Sequence, residues 1–322
     1  MKRLILILAV AVLALGCLTA CAGNGADDGK IKIVTTIFPE YDWVMNILGD
    51  NPAGAEVTML LDSGVDLHSF QPTAEDILKI SSCDLFIYVG GESDAWVEDA
   101  LRNAQNKNRV VINLLEVLGD KVKEEEVVEG MQGEDEEEEE EEEPEYDEHV
   151  WLSLKNASIL TSAIGEKLSA IDPDNKSVYA NNLFKYKQKL EELDGSYKAA
   201  VDAASVKTLL FGDRFPFRYL TDDYDLSYYA AFVGCSAETE ASFETIAFLS
   251  KKVDECALHA VMTIEGTNHR IAETIVQNTA TKDQKILALD SMQSVTATDV
   301  KNGVTYLGIM EKNLEVLKEA LK

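Results

Sequence analysis

Two histidines lie in sequence settings that suit metal binding. His68 occurs in Asp66-Leu67-His68-Ser69-Phe70-Gln71-Pro72, and His149 occurs in Asp147-Glu148-His149-Val150-Trp151-Leu152. The chain has only four histidines, and these two are accompanied by carboxylates at positions that follow apolar strands. Neutral imidazole is the commonest biological ligand for zinc and related metals. We therefore predict that His68 and His149 contribute to a metal site.

The elements that must position these histidines alternate between strands and helices. In the first half, strands are predicted at 31–36, 56–60, 84–90 and 109–113, and helices at 41–48, 73–81 and 95–104. In the second half, strands are predicted at 208–211, 227–233, 260–264 and 285–289, and a last helix at 304–322. Strands separated by helical stretches indicate βαβ units and parallel sheets covered by helices on both faces.

The two halves are separated by a stretch of helix-forming residues. Residues 156–204 are predicted to be connecting helices, broken once around Asp172-Pro173. The second piece, from about 175 to 203, would span roughly 40 Å, with Gly195 as its weak point. The predicted organisation is therefore a first lobe at 31–155, the connector, and a second lobe at 205–322.

The amino terminus has the pattern of a secretion signal. Lys2 and Arg3 precede a short apolar run, and Leu18-Thr19-Ala20-Cys21 follows it. The ending resembles the lipobox of bacterial lipoproteins, in which Cys21 would carry the lipid; the alternative is an ordinary cleaved signal. We predict a signal peptide at 1–21, a flexible tether at 22–30, and a mature protein outside the cytoplasm that is anchored to the cell membrane. No later apolar run is long enough to span a bilayer.

Charge and cysteine usage exclude some classes of protein. The net charge of −29 argues against nucleic-acid binding, which needs a basic surface. Eight consecutive glutamates, Glu136–Glu143, lie in a loop of about 120–146 that we predict to be disordered. It is either a solvated surface loop or a weak collector of cations beside His149. Cys83, Cys235 and Cys256 are too few for a disulfide scaffold; a bridge between Cys235 and Cys256 and free thiols both remain open.

Several segments resemble the extracytoplasmic zinc- or manganese-binding proteins of bacterial ABC importers, and the resemblance covers nearly all of the mature chain. Residues 34–50 are similar to that family's opening strand and helix, and 66–80 to its first histidine motif. Residues 147–157, Asp-Glu-His-Val-Trp-Leu-Ser-Leu-Lys-Asn-Ala, are similar to its second motif and are the most specific match. Ala288-Leu289-Asp290-Ser291-Met292 falls where the family has a metal-binding aspartate.

The resemblance implies a fold, a site and partners. The fold would be α/β, with two lobes that each contain a mainly parallel sheet covered by helices, joined by one long rigid helix. A metal site in the cleft between the lobes would take His68 and His149 from the first lobe and Asp290 from the second. Two imidazoles with carboxylates suit Zn²⁺ and admit Mn²⁺. The implied partners are an ABC permease with its ATPase, and we expect a monomer.

One position departs from the family pattern. Arg214 stands where the family supplies a third ligand, and a guanidinium does not bind metal because it stays protonated. Asp213 or a residue of Cys235-Ser236-Ala237-Glu238-Thr239-Glu240 would replace the ligand, water would fill the position, or the site has been repurposed. We favour a replacement carboxylate, Glu240 or Asp213, with Glu265 as a further candidate. Alternatively, Arg214 and Arg218 would form ion pairs with these acids.

Three functions compete. The first is a solute-binding lipoprotein that captures Zn²⁺, or Mn²⁺, and delivers it to a permease for import without covalent chemistry. The second is an adhesin-like surface lipoprotein whose metal site is structural or lost, which the Arg214 departure favours. The third is a metallohydrolase, which is disfavoured because no carboxylate is identifiable as a general base beside an open metal position.

Overall fold

A computed structural model describes residues 29–102, 104–132, 145–236, 240–266 and 268–322. The predicted signal at 1–21 with Cys21, the tether up to residue 28 and the run Glu136–Glu143 lie outside the described residues. In the ranges that are described, no helix combines the length and the apolar character needed to cross a membrane.

The first lobe is built on a four-stranded parallel sheet. Its strands are β1 (Lys32–Thr35), β2 (Glu56–Met59), β3 (Leu85–Tyr88) and β4 (Val110–Asn113), in the spatial order β2-β1-β3-β4. Its helices are α1 (Phe38–Leu48), α2 (Ala74–Ser82), α3 (Trp96–Arg102) and α4 (Leu114–Leu118). Leu85, Phe86 and Ile87 of β3 are fully buried, as expected for a parallel strand covered on both faces.

Two helices that pack against each other form the connector. They are α5 (Leu154–Ile171) and α6 (Lys176–Ala203), joined by a single 3₁₀ turn at Pro173–Asn175. Asp172 ends α5, and its carboxylate accepts a hydrogen bond of 2.6 Å from the Tyr179 hydroxyl, which fixes the corner. The predicted break and the predicted long helix are confirmed, and α6 continues through Gly195.

The second lobe repeats the layout of the first. Its strands are β5 (Thr208–Phe215), β6 (Ser227–Val233), β7 (Ala260–Ile264) and β8 (Lys285–Leu289), all parallel, in the order β6-β5-β7-β8. Its helices are α7 (Arg218–Asp223), α8 (Phe243–Glu255), α9 (Arg270–Asn278), α10 (Ala297–Lys301) and α11 (Tyr306–Ala320). The predicted α/β class with two parallel-sheet lobes is confirmed.

Helix α11 packs outside its own lobe. The Tyr306 ring meets the Trp43 ring of α1 edge-on, with centroids 5.3 Å apart. The Tyr306 hydroxyl donates to the carbonyl oxygen of Trp151 at 2.7 Å. From α6, the Tyr197 hydroxyl donates to the Met310 carbonyl oxygen at 2.6 Å. Buried aromatic contacts and hydrogen bonds therefore hold α11 to the first lobe and to the connector.

The segment 120–132 crosses between the lobes, and the prediction of disorder from about residue 120 is wrong for it. Glu124 forms an antiparallel bridge with Tyr146. The Gln132 N–H donates to the Ala231 carbonyl oxygen of β6 at 2.9 Å. Met131 is buried, and Val122 and Val128 pack on the core. These apolar side chains, spaced among the carboxylates, supply the burial that orders this segment.

Glu40, in the first turn of α1, is a fully buried carboxyl. Its Oε2 accepts from the backbone N–H of Thr36 at 2.8 Å and of Ile37 at 3.3 Å. Burial, with the charge of Asp94, raises the pKa of Glu40 from 4.5 to about 8. The folded state therefore retains this proton to a higher pH than the unfolded chain does. The contribution of the protonated Glu40 carboxyl to the free energy of unfolding is fully present below pH 4.5 and is lost as the pH rises through about 8.

Glu40→Gln should remove this pH dependence, because glutamine keeps an acceptor oxygen and cannot ionise. Relative to the wild type, the variant's free energy of unfolding should rise between about pH 5 and about pH 9, by up to about 4 kcal/mol. Denaturant unfolding followed by circular dichroism measures this difference. Glu116→Gln, an exposed first-turn glutamate of α4, is the control and should show no trend. If the free energies of unfolding of Glu40→Gln and the wild type differ by the same amount at every pH, the raised pKa of Glu40 is contradicted.

Candidate metal-binding site

His68 lies in a 3₁₀ turn, Leu67–Ser69, that follows β2. Asp66 caps this turn, and its Oδ1 accepts a hydrogen bond of 3.0 Å from the His68 backbone N–H. The ring Nδ1 is 2.7 Å from Ser93 Oγ and 3.6 Å from Glu148 Oε2. These groups hold the Nδ1 side of the ring and leave Nε2 directed towards His149.

His149 is fully buried just before a second 3₁₀ turn, Val150–Leu152. Asp147 Oδ1 accepts from the His149 backbone N–H at 2.8 Å and lies 3.1 Å from ring Nδ1. A carboxylate at this distance favours the tautomer with the proton on Nδ1, which leaves the lone pair on Nε2. The Nε2 atoms of His68 and His149 are 3.2 Å apart.

The two imidazoles differ in their electrostatic surroundings. Burial, followed by the charges of His149 and Arg214, lowers the pKa of His68 to about 3, and Asp66 opposes this only in part. At His149 burial also acts to lower the pKa, but the charges of Asp147 and Glu148 outweigh it and raise the pKa. His68 is therefore neutral at physiological pH, which is the form that binds metal.

Cys235 completes a cluster with the two histidines. One ligand atom from each of His68, His149 and Cys235 lies within 4.8 Å of the others. Among the described residues, no other group of three or more histidine, cysteine or acidic side chains comes this close together. Burial, followed by the charges of Glu125, Asp147 and Glu148, raises the pKa of the Cys235 thiol. We call His68, His149 and Cys235 the histidine–cysteine cluster.

The sequence points to the segment 235–240 but does not single out its cysteine. Within that segment it favours the carboxylate Glu240 as the replacement ligand. The available signal was position: Cys235 follows a strand almost directly, and the carboxyl ends of parallel strands meet at one edge of a sheet. The structure describes Cys83, Cys235 and Cys256 as free thiols, so Cys235 and Cys256 are not bridged.

Asp290 follows β8 and is not a member of the cluster. Its Oδ1 accepts from the Met292 backbone N–H at 2.8 Å, and its own N–H donates to Asn313 Oδ1 at 2.9 Å. Burial and the nearby charge of Glu265 raise the pKa of Asp290 to about 6. The protein therefore keeps a carboxyl here at an electrostatic cost, and a bound cation would reduce that cost.

The other candidate carboxylates also lie outside the cluster. Asp213 Oδ1 accepts from the Arg214 backbone N–H at 2.9 Å and Oδ2 from Ile264 at 3.2 Å. Glu265 Oε2 accepts from the Ser291 backbone N–H at 2.6 Å, and Glu240 is exposed. Asp213 and Glu240 stay predictions from sequence that the geometry does not favour.

Arg214 reaches across the cleft to the first lobe. Its Nη2 lies 2.6 Å from Asp66 Oδ2, and Arg218 Nη1 lies 2.7 Å from Glu126 Oε2. The alternative that these arginines pair with Asp213, Glu240 or Glu265 is wrong, because both use acids of the preceding half of the chain. A cavity of about 400 Å³ between the lobes is lined by Asp66, Ser69, Arg214, Ser236 and Glu265, among others, and three of these residues are close neighbours of His68 and Cys235 in the chain.

Comparison with known proteins identifies the family. The family described as zinc-uptake complex component A, periplasmic (ZnuA), matches residues 33–320. The chain belongs to this family. The resemblance predicted from the sequence is therefore confirmed, and the family is one of solute-binding proteins rather than enzymes.

Similar proteins carry names that refer to zinc. The chain is 32% identical over 306 residues to the zinc-binding lipoprotein AdcA of Streptococcus pneumoniae, covering 94% of this chain and 58% of that protein. It thus spans little more than half the length of that relative. It is 29% identical to the high-affinity zinc uptake system protein ZnuA of Bacillus subtilis, covering 94% of each.

Solved structures share the fold over almost the whole chain. The Zn(II)-bound ZnuA-like domain of Streptococcus pneumoniae AdcA is similar with a TM-score of 0.70 and 30% identity, covering 91% of this chain and 99% of that domain. The metal-dependent lipoprotein YcdH of Bacillus subtilis is similar with a TM-score of 0.73 and 27% identity, with the same coverage.

Proposed function

We propose that this ZnuA-family protein captures Zn²⁺ outside the cytoplasm and delivers it to an ABC-type permease powered by a cytoplasmic ATPase. The observation that carries the proposal is the pair of facing imidazole Nε2 atoms 3.2 Å apart. Two nitrogens bound to one tetrahedral zinc, each about 2.0–2.1 Å from it, lie roughly 3.3 Å from each other. The histidines are therefore already spaced for one ion.

The surroundings of the rings support a binding role. Asp147 and Ser93 contact the Nδ1 atoms of His149 and His68 at 3.1 Å and 2.7 Å. Such partners orient metal-bound imidazoles and are as much a part of the site as the ligands. No substrate other than the ion is implied, and the proposed activity is capture and release.

We further propose Asp290 as a ligand from the second lobe. It lies at the carboxyl end of β8, half-buried, with a raised pKa that a cation would lower. A ligand from each lobe couples metal binding to the relative position of the lobes, which a membrane partner can sense. Mn²⁺ is the alternative cargo. We also propose that a lipid on Cys21 holds the monomeric protein at the membrane.

The first test is the metal content of the full-length protein, purified without chelator and analysed by elemental mass spectrometry. We expect about one Zn²⁺ per chain, and none in His68→Ala. In the producing organism, deletion of the gene should impair growth under zinc limitation. Wild-type protein should restore growth, and His68→Ala should not.

The outcomes separate the competing functions. Stoichiometric manganese in place of zinc would keep the import function and change its cargo. The absence of any stoichiometric metal, with normal growth of the deletion strain under zinc limitation, would refute metal capture. The adhesin-like alternative would then lead.

A further inference from the structure

The backbone around Gly234 brings the end of β6 into contact with His149. A Cβ atom on residue 234 would lie 3.0 Å from His149 Cε1 and 3.0 Å from the Phe215 carbonyl oxygen. Both distances are tighter than ordinary van der Waals contact, so a side chain here would push the strand end and the imidazole apart. Glycine at this position therefore permits the approach that places Cys235 beside the ring.

A second contact fixes the cysteine backbone. The Cys235 N–H donates to Glu125 Oε1 at 3.2 Å, and Glu125 lies in the segment that crosses from the first lobe. The sulfur is thus held between a strand of the second lobe and a segment of the first. The Cys235 sulfur and one ring nitrogen of each histidine lie within 4.8 Å of one another.

We propose that Cys235 is a fourth protein ligand of the cargo ion, beside His68, His149 and Asp290, and that it sets the choice of metal. This inference rests on the proposed function and adds a ligand that Arg214 cannot supply. The cluster then offers two imidazole nitrogens and one thiolate sulfur. Binding breaks the S–H bond, forms a metal–sulfur bond and releases the proton to solvent.

The other described cysteines show what a structural thiol looks like in this protein. Cys83 is fully buried, and its thiol donates to the Ile80 carbonyl oxygen at 3.2 Å. Cys256 is the residue after α8 and is partly exposed. Neither belongs to a group of potential ligands among the described residues. Of the three described cysteines, Cys235 alone lies beside two imidazoles, one of which, that of His149, is fully buried.

A sulfur ligand has a consequence for selectivity. Thiolate and imidazole together favour Zn²⁺, and also Co²⁺ and Cd²⁺, whereas Mn²⁺ prefers oxygen ligands. The wild type should therefore discriminate strongly against Mn²⁺. Cys235→Asp exchanges the sulfur for oxygen at the same place and should weaken zinc binding while strengthening manganese binding, so that the ratio of the two affinities falls by at least about tenfold.

Cobalt provides a direct readout, because a cobalt–thiolate bond absorbs in the near ultraviolet by charge transfer and cobalt bound by nitrogen and oxygen does not. The full-length protein, stripped of metal and titrated with Co²⁺, should develop this absorption with about one ion bound per chain. Cys235→Ser should bind cobalt without it. Cys256→Ser, the matched control, should retain it.

Protection from alkylation tests the same bond in the wild type, and does not depend on the variants folding. With Zn²⁺ bound, iodoacetamide should modify Cys235 much more slowly than in the metal-free protein, as read from the peptide masses. Cys256 should react at the same rate in both states.

The results distinguish this proposal from the one on which it rests. Metal bound at one ion per chain without charge-transfer absorption, and without protection of Cys235, would overturn the sulfur ligand and leave zinc capture intact. Failure of the wild type to bind Zn²⁺ or Co²⁺ would overturn both. Absorption lost in Cys235→Ser and kept in Cys256→Ser supports the thiolate.

Discussion

His149→Ala is expected to lower the affinity for Zn²⁺ by more than about 100-fold. Changes to groups that only orient a ligand typically cost roughly 10–100-fold, and this substitution removes a ligand. His149 Nε2 faces His68 Nε2 at 3.2 Å, so the remaining imidazole cannot reproduce the geometry alone. Competition with a zinc chelator of known affinity, followed by isothermal titration where the range allows, measures the change.

Two variants make this result interpretable. His259→Ala changes an exposed histidine of the second lobe and should leave zinc affinity unaltered. Asp147→Asn keeps the imidazole and weakens the contact of 3.1 Å that orients it, so its effect should lie within roughly 10–100-fold. Because His149 is fully buried, thermal unfolding of the metal-free proteins must show that each variant is folded at the temperature of the titration. Wild-type affinity in folded His149→Ala would exclude this imidazole as a ligand.

Trp43→Ala is expected to lower the free energy of unfolding by about 3–5 kcal/mol. Trp43 is fully buried in α1 and meets the Tyr306 ring of α11 edge-on at 5.3 Å. The substitution deletes the indole at the junction of the first lobe with the last helix and leaves a cavity. Domains are typically stable by only about 5–15 kcal/mol, so the shift in the denaturant midpoint should be large.

Phe184→Ala is the matched control for this prediction. Phe184 lies in α6 with 63% of its side chain exposed, and its removal should change stability by less than about 0.5 kcal/mol. Circular dichroism follows both variants through denaturation without relying on tryptophan emission. An effect of Trp43→Ala no larger than that of Phe184→Ala would mean that α11 is not fastened to the first lobe through this contact.

The sequence was sufficient for most of the fold because the signals were local. Buried runs such as Leu85-Phe86-Ile87 have the composition of parallel strands, and Asp172-Pro173 marks a helix break that the structure places at the same residues. The exception is 120–132. Its carboxylates suggested disorder, but Val122, Val128 and Met131 find partners that only the assembled lobes provide. Burial against residues that are distant in sequence cannot be predicted from the local order of apolar and charged residues.

The site was predictable in part for the same reason. His68 and His149 each lie in a recognisable motif, and the structure brings their rings together. The position of Cys235 depends on Gly234, whose missing side chain leaves room for His149, far away in sequence, and for the Phe215 carbonyl oxygen. Likewise, Arg214 finds Asp66 across the cleft. The packing of the two lobes determines which side chain lies beside the two histidines. This packing involves several separate segments, so it cannot be predicted from any one of them.

The contacts of α11 with the first lobe and the connector affect how fast the lobes can separate. Swinging the lobes apart would break the contact between Trp43 and Tyr306 and the hydrogen bonds from Tyr306 to Trp151 and from Tyr197 to Met310. Each is buried, so a wide opening carries a high activation barrier. We therefore expect a bound ion to leave slowly, and a membrane partner that loosened these contacts would shorten its residence time.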